Sequence, residues 1–208
     1  MPPNSFVHVI DDDDAVRESL EFLLRTAKIN VRTYESATAF LNAKADSGPG
    51  CVVTDVRMPG VSGVDLLRQL KARGSTMPVI VITGHGDIQL AVEAMKIGAA
   101  DFLEKPFDDE VLLASVKAAL GRLEKDAQRD TERAELNNRL ATLSTREREV
   151  LEGLVAGKAN KVIAFDLGIS PRTVEIYRAH VMTKMNAGSL SELVRMALLA
   201  GVLSANET

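Results

Sequence analysis

The stretch CVVTDVRMPGVSGVDLLRQLKARG, residues 51–74, joins three patterns in one unit. A nearly continuous apolar run ends in a carboxylate at Asp55. A sharp loop follows, marked by Pro59, Gly60 and Gly63, and apolar residues then recur at helical spacing. A run apolar along its whole length suits a strand buried on both faces, as in a parallel sheet. The same unit repeats outward. Strand-like runs FVHVI (6–10), VRTY (31–34), PVIVIT (78–83) and DFLEK (101–105) alternate with helix-period segments AVRESLEFLLRTA (15–27), SATAFLNAKA (36–45) and DIQLAVEAMKIGAA (87–100). A last one, DDEVLLASVKAALGRL (108–123), follows Pro106. Five strands alternating with five helices predict an α/β doubly wound parallel sheet with helices on both faces.

In such a fold ligands bind outside the carboxyl ends of the strands, where strand order reverses. The residues there are Asp11 and Asp12, Asp55, Thr83 and Lys105. Asp11 and Asp12 belong to a run of four aspartates, 11–14, whose mutual repulsion needs an offsetting charge. Helix capping and the helix dipole suit Asp13 and Asp14, ahead of the first helical segment. Asp11 and Asp12 need another explanation. Three carboxylates at neighbouring strand ends make a hard oxygen site suited to Mg2+, which keeps waters for a phosphoryl group to displace. Thr83 is placed to donate to an anion, and Lys105 adds a point charge before Pro106, where a cis bond would aim it. His8, inside a strand, and His85, in the loop after Thr83, are not expected to be ligands. The lone Cys51 excludes internal disulfides and cysteine zinc sites, and its apolar surroundings suit a buried structural residue.

The formal net charge is -4, but it is uneven: residues 1–121 hold 12 Lys+Arg against 17 Asp+Glu, and residues 143–208 hold 8 against 7. No stretch approaches the roughly eighteen consecutive apolar residues of a membrane span, and the N-terminus has no basic-then-apolar leader pattern. A cytoplasmic protein without a membrane partner is expected. Residues 122–142, RLEKDAQRDTERAELNNRLAT, have balanced charge and neither Gly nor Pro, which predicts a helix continuing from the preceding one. Val116, Leu120, Leu123 and Ala127 have heptad spacing, but Asp130 and Asn137 interrupt the seam. Beyond it, four helical segments separated by Gly157, Gly168, Ser170-Pro171 and Gly188-Ser189 predict an all-helical unit. Within it, ANKVIAFDLGISPRTVEIYR (159–178) reads as helix, glycine turn, helix, the element that docks in a DNA major groove. On the second of these helices Val174, Val181 and Met185 share an inward face, with Arg178 close to it, while Arg172, Glu175, Ile176 and Ala179 fall on the outer, N-terminal side; Thr173, next to Arg172, is a further candidate for DNA contact. Glu175, Ile176 and Ala179 suit base edges, and Lys161, Arg172, Arg178 and Lys184 suit phosphates.

IDDD, VVTDVRMPGVSGVDLL, VIVITGHGD and AMKIGAADFLEKPF, in this order and spacing, resemble a response-regulator receiver domain over residues 5–122. The resemblance implies a flavodoxin-like sheet of order 2-1-3-4-5, with Asp55 as phosphoacceptor. It implies that Asp11, Asp12, Asp55 and the Arg57 backbone carbonyl hold Mg2+, and that Thr83 and Lys105 contact phosphoryl oxygens. Phe102 matches an aromatic switch position, although a plain core role is equally compatible. A helical linker (123–141) and a helix-turn-helix domain (142–208) would follow. LSTREREVLEGLVAGKANKVIAFDLGISPRTVEIYRAHVMTKM resembles the output domain of the LuxR/NarL/FixJ family, although Tyr177 stands where that family often has His. The implied function is a transcription regulator phosphorylated by a sensor histidine kinase. It would dimerise through its fourth helix and fifth strand and bind promoter DNA beside RNA polymerase. TGHGDIQLAVEAMKIGAADFLEKPF with SPRTVEIYRAHVMTKM most resemble the branch that regulates nitrogen-fixation and microaerobic genes, a resemblance that implies an oxygen-sensing kinase. A turnover enzyme is not expected. The alternative, a phosphorelay carrier or aspartyl-phosphate phosphatase whose helical domain binds protein, is disfavoured because Val56-Arg57 after Asp55 lacks the second acid of many such phosphatases.

Overall fold

A computed structural model describes residues 5–45, 48–84 and 88–202. The chain divides into two compact units, Met1–Asp126 and Ala127–Thr208. In the first unit the elements run β1 (Phe6–Ile10), α1 (Asp14–Thr26), β2 (Val31–Tyr34), α2 (Ala37–Asn42), β3 (Gly50–Asp55), α3 (Gly63–Ala72), β4 (Val79–Thr83), α4 (Ile88–Ile97), β5 (Asp101–Glu104) and the start of α5 (Asp109–Ala141). The five strands are parallel in the order β2-β1-β3-β4-β5.

Strand side chains alternate between faces, so each strand feeds two cores. Val7 and Val9 of β1, Cys51 and Val53 of β3, and Ile80 and Ile82 of β4 face Leu20 and Leu24 of α1 and Leu112, Val116 and Leu120 of α5. Their neighbours Ile10, Val52, Val79 and Val81 pack with Phe40, Val64, Leu67, Leu70 and Ala94 on the other side. Both faces being covered explains the uninterrupted apolarity of β3 and β4. Because β1 lies between β2 and β3, chain order reverses between β1 and β3, and the ends of those two strands, at Asp11 and Asp55, flank the crevice there.

Local chemistry sets the helix starts. Asp13 caps α1 by accepting from the Ala15 N–H at 2.8 Å, and Ser62 caps α3 by accepting from the Asp65 N–H at 3.1 Å. Gly63 opens α3 because a Cβ there would lie 2.1 Å from the Asp55 carbonyl oxygen. Thus the glycine lets α3 start pressed against the end of β3.

In the second unit, α6 (Thr145–Val155), α7 (Asn160–Leu167), α8 (Pro171–Met185) and α9 (Leu190–Leu199) enclose one core with the last turns of α5. Leu136 and Leu140, within the stretch expected as linker, are buried in this core beside Val150, Val174, Val181 and Met185. Arg139 donates to the Met185 carbonyl at 3.1 Å, satisfying an otherwise unpaired group at the end of α8. Val116 and Leu120 of the apparent heptad belong to the first core, and Ala127 is exposed. Ser144 and Glu147 form a capping box on α6, Gly168 ends α7 with φ 63°, and Ser170 with Pro171 begins α8. Among the described residues no helix is long and apolar enough to cross a membrane.

Candidate functional site

The carboxyl ends of β1 and β3 and the residue after β5 bring three charges together. Lys105 Nζ lies 2.8 Å from Asp55 Oδ1 and 3.2 Å from Asp11 Oδ2. The backbone supports both acids: Asp55 Oδ2 accepts from the Arg57 N–H at 2.6 Å, and Asp11 Oδ1 accepts from the Asp13 N–H at 3.0 Å. Lys105 is itself held by its N–H donating to the Thr83 carbonyl at 2.8 Å, and the Lys105–Pro106 bond is cis. Burial pulls the pKa of the ammonium down, but the hydrogen bond to Asp55 and the charges of Asp55 and Asp11 outweigh it, and the net shift is upward. Lys105 therefore stays charged at neutral pH.

Thr83 ends β4 beside this cluster, buried, its hydroxyl donating to the Gly84 carbonyl at 3.2 Å. Asp12 stands apart: it is exposed and makes no hydrogen bond or ion pair among the described residues. The described residues include no cluster of three acids drawn together as for a bound metal. Instead the Lys105 ammonium lies between Asp11 and Asp55 as a stand-in cation. That geometry, all-oxygen donors around a positive charge with one free carboxylate on the adjoining loop, fits a hard divalent ion.

Two half-exposed apolar residues of α4, Val92 and Met95, flank Phe102 of β5 along a shallow groove that also includes Ala91, Lys96 and Glu104. Phe102 is half-buried there rather than part of either main core. His8 is buried against Tyr34 and Phe40, away from the acids, and His85 lies outside the described residues. Burial pushes the Cys51 thiol up to about 12, which makes it an inert structural residue.

On the helical unit, Val174, Val181 and Met185 of α8 are fully buried, while Arg172, Glu175, Ile176 and Ala179 are exposed along one side, as the 100° spacing predicts. Thr173 is half-buried near the N-cap, its N–H donating to Ser170 Oγ at 3.1 Å. Arg172 pairs with Glu175 at 2.9 Å, Arg178 is half-buried, and Lys161 is exposed on α7. Lys184 behaves differently from the free phosphate contact expected of it. Its Nζ lies 2.7 Å from Glu147 Oε2 and 3.2 Å from the Thr142 carbonyl, so it ties α8 to the start of α6. The hydrogen bond from Lys184, then that from the Ser144 N–H, lower the Glu147 pKa to about 2. Spacing alone did not single out Glu147, though its signal was present: it is the fourth residue of a capping box, Ser144-x-x-Glu147.

A carboxylate pair bridged by a lysine at the switch point of a doubly wound sheet, followed by a helix-turn-helix bundle, defines a receiver domain joined to a DNA-binding output domain. Comparison with known families agrees: residues 7–117 match the response regulator receiver domain, and residues 141–197 match the bacterial regulatory proteins of the luxR family. The chain belongs to the luxR-family response regulators, and is a phosphorylation-dependent transcriptional regulator for which the receiver implies a histidine kinase partner and the output domain DNA. It is 63% identical to the transcriptional regulatory protein FixJ of Azorhizobium caulinodans over 207 residues, covering 100% of this chain and 98% of that one. It is 52% identical to FixJ of Bradyrhizobium diazoefficiens, covering 98% and 100%. Among solved structures, full-length FixJ from B. japonicum aligns with TM-score 0.62 at 53% identity (96% and 98% covered), and the response regulator StyR with TM-score 0.80 at 40% identity (94% and 99% covered).

Proposed function

We propose that Asp55 is the phosphoacceptor and that its phosphorylation switches DNA binding by the helical unit. The observation that carries this reading is Lys105 Nζ at 2.8 Å from Asp55 Oδ1, with Asp11 beside it, at the crevice where strand order reverses. The Asp55 carboxylate attacks the phosphorus of a phosphohistidine in line; the P–N bond breaks, the pair of electrons leaves with the imidazole, and an acyl phosphate forms. Positive charge must then meet the equatorial oxygens, where phosphoryl transfer is helped most. Lys105 supplies it from a position it already occupies, and the Thr83 hydroxyl, one backbone hydrogen bond away, turns to donate to a phosphoryl oxygen. Asp11, Asp12, Asp55 and the Arg57 carbonyl would hold Mg2+, which when bound supplies further neutralisation of those oxygens. With Val56-Arg57 after Asp55, no second acid stands two residues on, in keeping with a protein that loses its phosphoryl group slowly rather than a turnover enzyme.

The groove of Val92, Met95 and Phe102 is the face through which phosphorylated receivers pair, with Phe102 moving as Thr83 turns. On DNA, Glu175, Ile176 and Ala179 read base edges. Lys161, Arg172, Thr173 and Arg178 hold phosphates, and Lys184 reaches them only by leaving Glu147. Nitrogen-fixation or microaerobic genes are the proposed targets, a role that fits the FixJ names of the relatives; an oxygen-sensing kinase as donor, RNA polymerase as partner and the cytoplasm as location belong to the same proposal. Sedimentation velocity with and without beryllofluoride and Mg2+, on the native chain and Asp55→Asn, tests the switch. Dimerisation of the native chain alone is expected; no change in either would overturn the proposed pairing.

A further inference from the structure

The turn from β1 into the first residue of α1 carries four carboxylates in succession, and each has a different fate. Asp11 accepts from Lys105 and the Asp13 N–H, Asp13 caps α1, Asp14 is ion-paired with Arg17, and Asp12 has no partner among the described residues. Arg17 has a second partner. Its Nη1 donates to the Asp11 main-chain carbonyl at 2.6 Å while Nη2 pairs with the Asp14 carboxylate. The side chain is only 15% exposed, although it sits on the first turns of a surface helix. One planar guanidinium thus clamps the end of β1 to the start of α1, across the residues whose carboxylates flank the crevice.

From this clamp we infer that Arg17 is a positioning residue for the divalent-cation site, a role that rests on the cation reading given above. It fixes the Asp11 peptide and so limits the directions in which the Asp11 and Asp12 side chains leave the backbone. It also offsets part of the repulsion among the four acids. The two contributions act oppositely on cation affinity. Losing a positive charge near the site favours a cation, whereas losing the tether lets the ligands swing away. The Arg17 charge is already largely offset by its pairing with Asp14, whereas groups that orient metal ligands typically carry about 10–100-fold in affinity. The tether therefore dominates. The Asp11 carbonyl can hydrogen-bond to water when Arg17 is gone, so the sheet survives and the defect is confined to the loop.

The test is Mn2+ binding to the full chain, read by electron paramagnetic resonance without a phosphoryl donor, for the native protein, Asp12→Asn, Arg17→Met and Arg17→Lys. The expected result is about tenfold weaker binding in Arg17→Met, partly restored in Arg17→Lys, which keeps a donor for the carbonyl. In phosphorylation from acetyl phosphate, the Mg2+ concentration for half-maximal rate should rise by about the same factor in Arg17→Met, with the rate at saturating Mg2+ within about twofold of native. A merely structural lesion would lower that plateau instead. Binding in Arg17→Met as tight as native, or tighter, overturns the role of Arg17 while leaving the cation site intact. Should Arg17→Met fail to fold, Arg17→Lys decides in the same way. Loss of affinity in Asp12→Asn checks the site itself, and a native chain that binds no Mn2+ removes the cation site and with it both readings.

Discussion

Acidification should destabilise the first unit through one buried side chain, His8. The imidazole lies in mid-β1 at 3% exposure, edge-on to Phe40 with centroids 5.4 Å apart, and its Nδ1 shares a 3.1 Å hydrogen bond with the Tyr34 hydroxyl. Burial, and then the charge of Arg32 stacked over Phe6, lower its pKa from 6.5 to about 4. Between those values the unfolded chain binds a proton at His8 that the folded chain does not, so stability falls as pH falls through this window. At about 1.4 kcal/mol per pKa unit the full shift amounts to about 3 kcal/mol. Because Arg32 is exposed and its contribution is screened, about 2 kcal/mol should be gone by pH 4.5. Carboxylates also titrate near that pH, so the informative quantity is a double difference. Urea unfolding of the native chain and His8→Gln, at pH 7 and pH 4.5, isolates the His8 share. The chain has no Trp, which makes far-UV circular dichroism the natural probe. The native protein should lose about 2 kcal/mol more than His8→Gln over this interval. Equal losses would refute the assignment of the acid sensitivity to a neutral buried His8.

Other perturbations probe the remaining links. Gly63→Ala places a Cβ 2.1 Å from the Asp55 carbonyl oxygen, and should destabilise the first unit by about 2–3 kcal/mol, lowering its calorimetric melting temperature by about 10 °C. Lys105→Met leaves Asp11 and Asp55 without their shared ammonium, and labelling from acetyl phosphate should slow by about 100-fold or more. Because Glu147 has a folded pKa near 2, its tie to Lys184 is fully present above the usual carboxylate pKa of 4.5 and is lost as pH falls through about 2. Lys184→Met should therefore weaken the helical unit most at neutral pH, with its unfolding midpoint converging on native in acid. Arg172→Ala should weaken DNA binding across sequences and reduce the slope of log K against log salt by about one, whereas Ile176→Ala should alter sequence preference with that slope unchanged.

Legibility in the sequence followed the range of the interactions involved. β1 and β2 end where the apolar runs end, because alternation and burial are local properties of a strand. The helical pattern of the second segment spans 36–45, yet α2 covers Ala37–Asn42, since Ser36 acts as its cap and the chain turns at Lys44 with φ 49°. The grouping of Asp11, Asp55 and Lys105 was legible because strand ends in a parallel sheet converge. Asp12 was not separable from Asp11 by pattern: adjacent residues at a strand end point in different directions, and only Asp11 faces Lys105. Lys184 looked like a free surface cation because its partner, Glu147, lies 37 residues away on another helix. The Arg17–Asp14 pair has ordinary helical spacing, but the bond from Arg17 to the Asp11 carbonyl depends on how the loop folds back. Leu136 and Leu140 read as linker because a charged flanking sequence hid two buried positions one turn apart.

The most direct test of the account is to identify which residue carries the phosphoryl group. The native chain and Asp55→Asn should be incubated with radiolabelled acetyl phosphate and Mg2+, digested, and mapped, with hydroxylamine used to cleave acyl phosphates. The account predicts one hydroxylamine-labile label per native chain, on the peptide containing Asp55, and none in Asp55→Asn. A native-level label in Asp55→Asn, or a stable label on another residue, would contradict it.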